Sequence, residues 1–217
     1  GVKGAYVGYR KNGDMSTWEN ISYLTNSDDI DWHVAVGNVT GSAGKNSIVW
    51  HAPELGAVGV WTDGTDNWKS VGTGFDRNWT LLGTGDFDGN GKDEILFEYG
   101  DAFYTTDVDG KFNSLGSFGS GWDVRAIGDF SGDGSDDLVL FHETTGSVVK
   151  LFNGNASSWS SLGQLDAQDW FIVGAGDYNG DGTDDLLVRQ YSTGMLGYYA
   201  DADLTKWNEM GRGVDMN

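Results

Sequence analysis

One nine-residue loop occurs three times in this chain and constrains its fold more than any other feature. Each copy has oxygen-bearing side chains at positions 1, 3, 5 and 9, glycines at positions 4 and 6, and an apolar run directly after it. Glycine permits the positive φ angles that coil a backbone tightly enough for alternate side chains to converge. The copies begin at Asp86, Asp129 and Asp177 and end at Glu94, Asp137 and Asp185.

The residue types of the loop predict a calcium site. Calcium takes six to eight oxygens at about 2.3–2.6 Å and accepts carboxylate, amide, backbone and water donors. Without a cation the carboxylates would repel, because two charges about 5 Å apart cost about 3 kcal/mol at an effective dielectric of about 20. We therefore predict up to three calcium ions, with the weakest at the second loop, where Ser131 carries no charge. The predicted ligands are Asp86, Asp88, Asn90, Glu94 and the Lys92 carbonyl; Asp129, Ser131, Asp133, Asp137 and the Ser135 carbonyl; and Asp177, Asn179, Asp181, Asp185 and the Thr183 carbonyl.

Two simpler interpretations of the loop fail. The EF-hand shares the Asp-x-Asp-x-Asn-Gly pattern but closes with a glutamate at position 12 and lies between helices. Position 12 here is Phe97, Leu140 or Val188, within short apolar runs that predict strands. A plain Asp-Gly hairpin turn needs one acid and one glycine, and does not explain acids repeated at fixed positions.

Tryptophans give the chain a second periodicity. Those at positions 32, 79, 122 and 170 are 47, 43 and 48 residues apart, the length of one four-stranded propeller blade. For the unit that begins at Trp79 we predict strands over 79–85, 95–99, 102–106 and 112–116. A second aromatic mark recurs near the last strand of each unit, as Trp18, Trp68, Phe112, Trp159 and Trp207.

The periodicity predicts an all-β fold, a single β-propeller domain over residues 1–217 with about four full blades and a half blade. Sheets of this size must bury one face against a neighbouring sheet, and radial stacking does so for a tandem array. The array either closes as a five-bladed ring or is part of a larger propeller. The predicted units are 1–29 (partial), 30–76, 77–119, 120–167 and 168–217.

The unit at 30–76 keeps the glycines of the loop but has lost its acids. Its segment 38–47 reads Asn-Val-Thr-Gly-Ser-Ala-Gly-Lys-Asn-Ser, with one extra residue. We predict no calcium in this segment. The strand architecture thus tolerates an uncharged loop.

Composition and the absence of certain motifs limit the classes of function that this chain can have. The net charge of −20 argues against nucleic acid and anionic membranes, and no run of eighteen apolar residues is present to span a bilayer. The chain has no cysteine, no nucleophile elbow, no zinc-protease motif and no phosphate loop. His33, His51 and His142 lack metal-ligand spacing and are interpreted as surface or strand-face residues. Repeat packing accounts for most tryptophans, and Trp61 is the one that the pattern constrains least.

The motif Gly-Asp-Phe-x-Gly-Asp/Asn-Gly-x-Asp-Asp/Glu before an apolar strand resembles the FG-GAP or VCBS repeat, found in integrin α-subunit propellers and bacterial secreted proteins. The resemblance spans residues 30–190 and implies a β-propeller with structural calcium loops between strands one and two of a blade. Ser131 and the 38–47 segment depart from the family pattern.

Two functions agree with these features. The favoured one is a secreted or cell-surface, bacterial, non-catalytic module that binds an extracellular glycan or protein, with further domains flanking it in the full-length protein. Loops of modest charge would bind calcium at about 10⁻⁴ to 10⁻³ M, as extracellular modules do. The alternative is the propeller of a secreted polysaccharide-active lyase or hydrolase, which rests on fold analogy alone.

Overall fold

The computed structural model describes the backbone of residues 4–9, 19–25 and 31–212, and the side chains of residues 31–212. Within these ranges the chain forms eighteen strands and three short 3-10 turns. No helix in this part of the chain is long and apolar enough to cross a bilayer. The predicted aromatic mark at Trp18 lies outside the described residues.

The strands form one two-stranded sheet and four four-stranded sheets. The pair consists of β1 (Gly4–Tyr9) and β2 (Glu19–Thr25). The four sheets consist of β3 (His33–Gly37), β4 (Ser47–Ala52), β5 (Ala57–Trp61) and β6 (Trp68–Thr73); β7 (Trp79–Gly85), β8 (Glu94–Tyr99), β9 (Ala102–Thr106) and β10 (Phe112–Ser117); β11 (Trp122–Gly128), β12 (Asp137–His142), β13 (Ser147–Leu151) and β14 (Trp159–Gln164); and β15 (Trp170–Gly176), β16 (Asp185–Gln190), β17 (Met195–Tyr199) and β18 (Trp207–Arg212).

Each four-stranded sheet follows chain order, so every strand pairs with its sequence neighbour. The partners whose register is described run antiparallel, as in β11–β12 and β15–β16. This arrangement of four-stranded sheets and one two-stranded sheet confirms the predicted β-propeller class. The predicted strands of the second sheet match β7 to β10 to within one residue at each end.

The chain divides into two compact units, and residues of the β7–β10 sheet belong to both. In the first unit, Val39, Val49, Val60, Ile95 and Phe97 are almost fully buried in one apolar cluster. Val49, Ile95 and Phe97 come from the runs that follow glycine-rich loops, where consecutive side chains are apolar. Such continuous runs are typical of strands that are covered on both faces.

The second unit has its own cluster, to which the third and fourth sheets both contribute. Phe130, Val139, Leu186 and Val188 are buried there with at most 1% exposure. Phe130 is the aromatic residue at position 2 of the second acidic loop, so the loop itself supplies part of this core.

The aromatic marks on the outer strands cover glycines of the neighbouring strand. Trp68 lies against Gly59, and Trp207 lies against Gly197, where any Cβ would clash with the indole ring. Trp50 is 4% exposed, as its strand position predicts, and Trp61 is 7% exposed with its ring 4.7 Å from that of Trp50. Trp61 is therefore a core residue, although the pattern left it unconstrained.

Candidate functional site

The three acidic loops connect the first and second strands of the second, third and fourth sheets. Their glycines at positions 4 and 6 all have positive φ, between 69° and 91°. Only glycine adopts these angles without steric cost, as the tight coil predicted from the sequence requires. The glycines are Gly89, Gly91, Gly132, Gly134, Gly180 and Gly182.

The aspartate at position 1 is the centre of each loop. Asp129 Oδ1 accepts the N–H groups of Gly132 at 2.7 Å and Asp133 at 3.1 Å, and its Oδ2 accepts that of Gly134 at 2.8 Å. Asp177 accepts the N–H groups of Gly180, Asp181 and Gly182 in the same way. Hydrogen bonds to a carboxylate are stronger than neutral ones, so this residue organises the loop.

In the first loop three predicted ligands converge. One carboxylate oxygen from each of Asp86, Asp88 and Glu94 lies within 4.8 Å of the others, and Glu94 is buried. Two oxygens that bind one calcium ion are at most about 5 Å apart, so this acidic cluster fits the ion. The Asn90 N–H donates to Asp86 at 3.0 Å and to Asp88 at 3.2 Å.

The second loop contains a buried carboxylate oxygen without a hydrogen bond. Asp137 is fully buried; its Oδ1 accepts the Asn153 N–H at 2.9 Å, whereas its Oδ2 has no hydrogen-bond partner among residues 31–212. Burial raises the pKa of Asp137. Lys150 Nζ lies 4.0 Å from that oxygen and donates to the Phe130 carbonyl at 2.8 Å. A buried cation therefore already stands beside this loop.

The other predicted ligands of the second loop are bonded to one another. The Ser131 hydroxyl donates to Asp129 at 3.3 Å, and Asp133 accepts the Ser135 N–H at 2.9 Å. Asp129, Ser131 and Asp133 are thus held in one small loop, with Asp137 buried beneath it.

In the third loop, the buried carboxylate accepts hydrogen bonds from other groups of the chain. Asp185 is fully buried, and its oxygens accept hydrogen bonds from the Asp201 N–H at 3.1 Å, the Asn179 side chain at 3.3 Å and the Tyr178 N–H at 3.0 Å. Asn179 also accepts the Asp181 N–H, and Asp181 accepts the Thr183 N–H. The loop is therefore prearranged around its acidic side chains.

The residue at position 9 also supports the turn after the third strand. Asp137 and Asp185 accept the N–H groups of Asn153 and Asp201, which have φ of 51° and 55°. In the acid-free first sheet, the Ser47 hydroxyl accepts the N–H of Asp63, with φ of 54°. A buried oxygen at position 9 is therefore needed in each of these sheets, whether or not it carries a charge.

The 38–47 segment receives a carboxylate from elsewhere in its sheet. Thr40 Oγ1 donates to Asp63 at 2.6 Å and Ser42 Oγ donates to it at 3.0 Å. The Thr40 hydrogen bond, followed by that of Ser42, lowers the pKa of Asp63. Hydroxyl donors at positions 3 and 5 thus hold an anion where the acidic loops present anions of their own.

The acid at position 8 links each loop to the loop before it. Asp136 Oδ2 accepts the N–H of Asp86 at 2.7 Å, and the Asp136 N–H donates to the Asp86 carbonyl at 2.7 Å. Asp184 and Asp129 form the same pair, with distances of 3.1 Å and 2.9 Å. We call these reciprocal hydrogen bonds the repeat clamp. The clamp also joins Asp93 to Asn38 of the acid-free segment.

The repeat clamp explains the glycine before each loop. A Cβ on Gly85 would lie 2.9 Å from Asp136 Oδ2, and on Gly37 or Gly128 it would overlap the carboxylate of Asp93 or Asp184. Position 7 packs similarly on the glycine at position 4 of the preceding loop. These pairs are Lys92 on Gly41, Ser135 on Gly89 and Thr183 on Gly132.

The clamp residues were not identified from the sequence, where ligands were assigned at positions 1, 3, 5, 7 and 9 and the acid at position 8 was given no role. A signal was present, because the acid at position 8 recurs as strictly as that at position 9. Burial followed by nearby acidic charges raises the pKa of Asp184, although its hydrogen bond with Asp129 opposes the shift. The repeated acids therefore include a set that serves contacts between repeats.

His33 and His51 are partners on β3 and β4, and their ring centroids lie 5.7 Å apart. His51 is fully buried in β4, and its Nε2 lies 2.8 Å from the Phe75 carbonyl. His33 lies 3.4 Å from Asp31 at the surface.

Comparison with protein families supports the repeat assignment. Residues 170–200, which include the third acidic loop, match the family model of the FG-GAP repeat. This match confirms the resemblance to the FG-GAP repeat over these residues. A search of curated protein sequences gives no significant match.

Solved structures share the fold at low sequence identity. A chain of the nidogen–laminin complex has a TM-score of 0.52 at 14% identity, over 89% of this chain and 73% of its own length. Virginiamycin B lyase from Staphylococcus aureus has a TM-score of 0.56 at 13% identity, over 91% of this chain and 60% of its own length. An Agrocybe aegerita lectin specific for non-reducing terminal N-acetylglucosamine has a TM-score of 0.55 at 20% identity, over 80% of this chain and 49% of its own length. The chain thus spans less than two thirds of the length of the last two.

Proposed function

We propose that the chain is a calcium-stabilised, extracellular β-propeller module that binds a glycan or protein ligand and catalyses no reaction. Up to three ions would bind, one in each acidic loop. The residues that would hold them are Asp86, Asp88, Asn90, Glu94 and the Lys92 carbonyl; Asp129, Ser131, Asp133, Asp137 and the Ser135 carbonyl; and Asp177, Asn179, Asp181, Asp185 and the Thr183 carbonyl.

The convergence of Asp86, Asp88 and Glu94 in the first loop carries the calcium proposal. Three carboxylate oxygens within 4.8 Å of one another suit a divalent cation and repel each other without one. The unpartnered oxygen of Asp137 supports the second site. The Lys150 ammonium competes with calcium at this second site. Together with the uncharged Ser131, it makes the second site the weakest of the three.

Calcium would neutralise the loop carboxylates and join positions that are otherwise held only by hydrogen bonds. Affinities of about 10⁻⁴ to 10⁻³ M are typical of extracellular calcium modules, and calcium-poor cytosol would leave such sites empty. The proposed affinity therefore favours secretion or display at a cell surface, and the resemblance to repeats of bacterial secreted proteins favours a bacterial one. The net charge of −20 opposes nucleic acid as a partner.

Ligand binding is favoured over catalysis because no motif of known catalytic chemistry occurs in the sequence and the acids that recur are engaged in the loops. Among the structural neighbours, one is part of a protein–protein complex and one is a lectin, which suggests an extracellular protein or glycan as the partner. The lyase among the neighbours keeps the enzymatic alternative open to test. Turnover of uronic-acid polysaccharides by the purified chain would favour that alternative.

Isothermal titration with calcium tests the proposal. We expect three sites in the wild-type chain and two in each of the variants Asp86→Ala, Asp129→Ala and Asp177→Ala. Asp63→Asn is a matched control, because it alters the anion of the acid-free segment and should leave three sites. Absence of calcium binding at about 10⁻³ M would overturn the calcium part of the proposal.

A further inference from the structure

A cavity of about 210 Å³ lies in the second unit, away from the acidic loops. Side chains from the third and fourth sheets line it, and they include both aromatic and hydrogen-bonding groups. Its walls include Arg125, Phe141, Glu143, Gln168, Trp170 and Phe171. We propose that this cavity binds one ring of a neutral saccharide, an inference that rests on the proposed ligand-binding function.

An exposed aromatic side chain, Phe171, lines the cavity, and a second one, Tyr191, borders it. Phe171 is 51% exposed, and Tyr191 beside it is 73% exposed, with ring centroids 6.3 Å apart and planes at 66°. Trp170 also lines the cavity. Adjoining exposed aromatic side chains are typical of interaction surfaces, because a ligand that covers them gains the free energy of removing their apolar surface from water. A pyranose ring has an apolar C–H face that could cover such a surface.

The polar part of the lining offers both donors and acceptors. Arg125 Nη2 lies 2.7 Å from Glu143 and 3.1 Å from Asp123, and these three side chains are all partly exposed. The carboxylates accept hydrogen bonds, and the guanidinium N–H groups that remain free of them donate. The side chain of Gln168 adds an amide that does both. Sugar hydroxyls, which donate and accept, match this mixture.

Charge excludes an anionic ligand. Arg125 faces two carboxylates, so the group carries a net charge of −1 within a chain of net charge −20. A phosphate, sulfate or uronate would have to displace Glu143 or Asp123 from the guanidinium and would meet a repulsive field. An anionic ligand is therefore disfavoured, and we assign a neutral one because the lining both donates and accepts hydrogen bonds. The volume admits one ring and leaves the rest of a glycan in solvent.

Saturation-transfer NMR and calorimetry with the calcium-loaded chain test the inference. The probes are methyl glycosides of glucose, galactose, mannose and N-acetylglucosamine, with glucuronate as the anionic and arginine amide as the cationic comparison. We expect binding of at least one neutral glycoside and loss of about tenfold or more in affinity, about 1.4 kcal/mol, for Phe171→Ala and for Tyr191→Ala. Val173→Ala, at an exposed position of β15 outside the cavity lining, should bind as the wild type does.

The outcomes separate this inference from the proposed function. Binding that survives both aromatic substitutions would overturn the cavity assignment and leave the ligand-binding function standing. Preference for glucuronate or arginine amide, or no binding of any neutral glycoside, would also overturn it. Three calcium sites in the same preparations would show that the calcium proposal holds independently. Because Tyr191 is largely exposed, its variant remains informative if Phe171→Ala does not fold.

Discussion

Replacement of Asp184 by alanine should destabilise the chain without removing a predicted metal ligand. The substitution deletes the carboxylate that accepts the Asp129 N–H at 3.1 Å in the repeat clamp. A hydrogen bond to a charged group contributes about 1.5–3 kcal/mol. Because Asp184 is half-buried, water can replace the lost acceptor of this hydrogen bond only in part. We expect a loss of about 2 kcal/mol, which is about 4–8 °C in Tm for a chain of this size.

Asp184→Asn is the matched control, because its amide oxygen still accepts the Asp129 N–H. The change also removes one negative charge near Asp129, Asp177 and Asp185, whose charges disfavour the ionised form of Asp184. We expect a loss below about 1 kcal/mol, measured by urea unfolding with calcium and again with EDTA. Equal losses for the alanine and asparagine variants would refute the hydrogen-bond argument.

A double-mutant cycle isolates the contact itself. Gly128→Ala should also be destabilising, because its Cβ would overlap the Asp184 carboxylate. In the Asp184→Ala background that clash disappears, so the two losses should fall short of additive by about 1 kcal/mol or more. Additive losses would mean that Gly128 and Asp184 do not interact.

Further predictions concern the ions and the buried charges. Removal of calcium by EDTA should lower Tm in a scanning experiment, since each site filled at tenfold excess over its Kd contributes about 1.4 kcal/mol; an unchanged melting curve would contradict the calcium sites. Asp177→Ala should remove one site and leave the other repeats folded, as seen by calorimetry and circular dichroism. Lys150→Met should raise calcium affinity at the second loop by about tenfold or more, because a like charge leaves the site; unchanged affinity would exclude competition by this lysine. Burial lowers the pKa of His51 from 6.5, so the unfolded chain binds more protons and stability falls as pH drops below about 6.5. His51→Gln should flatten that slope between about pH 7.5 and 5.5 in urea titrations, whereas an unaltered slope would assign it to other groups.

The sequence predicted the parts of the fold that repeat. The tryptophan spacing and the apolar runs gave the strands of the second sheet, and the pair β1–β2 agrees with the predicted half blade. The glycines at positions 4 and 6 have the positive φ that tight coiling requires. These features were accessible because each depends on residues close together in the chain.

Features that depend on contacts between repeats were not predicted. Asp136 and Asp184 looked like additional loop acids, and only the structure brings them to the preceding loop. Lys150 lies outside every motif of the sequence, and it approaches Asp137 because β12 pairs with β13. The cavity lined by Arg125 and Phe171 likewise combines side chains of two repeats whose juxtaposition the local pattern does not encode.

The repeat clamp gives each loop two different sides. One side offers a backbone N–H beside a glycine, and the other offers a carboxylate at position 8, as Asp129 and Asp184 illustrate. A copied unit inserted anywhere in the series would therefore meet a complementary neighbour both upstream and downstream. Lengthening by duplication would require no new contact to arise, which is a physical route by which propellers of different blade number could descend from one ancestral module.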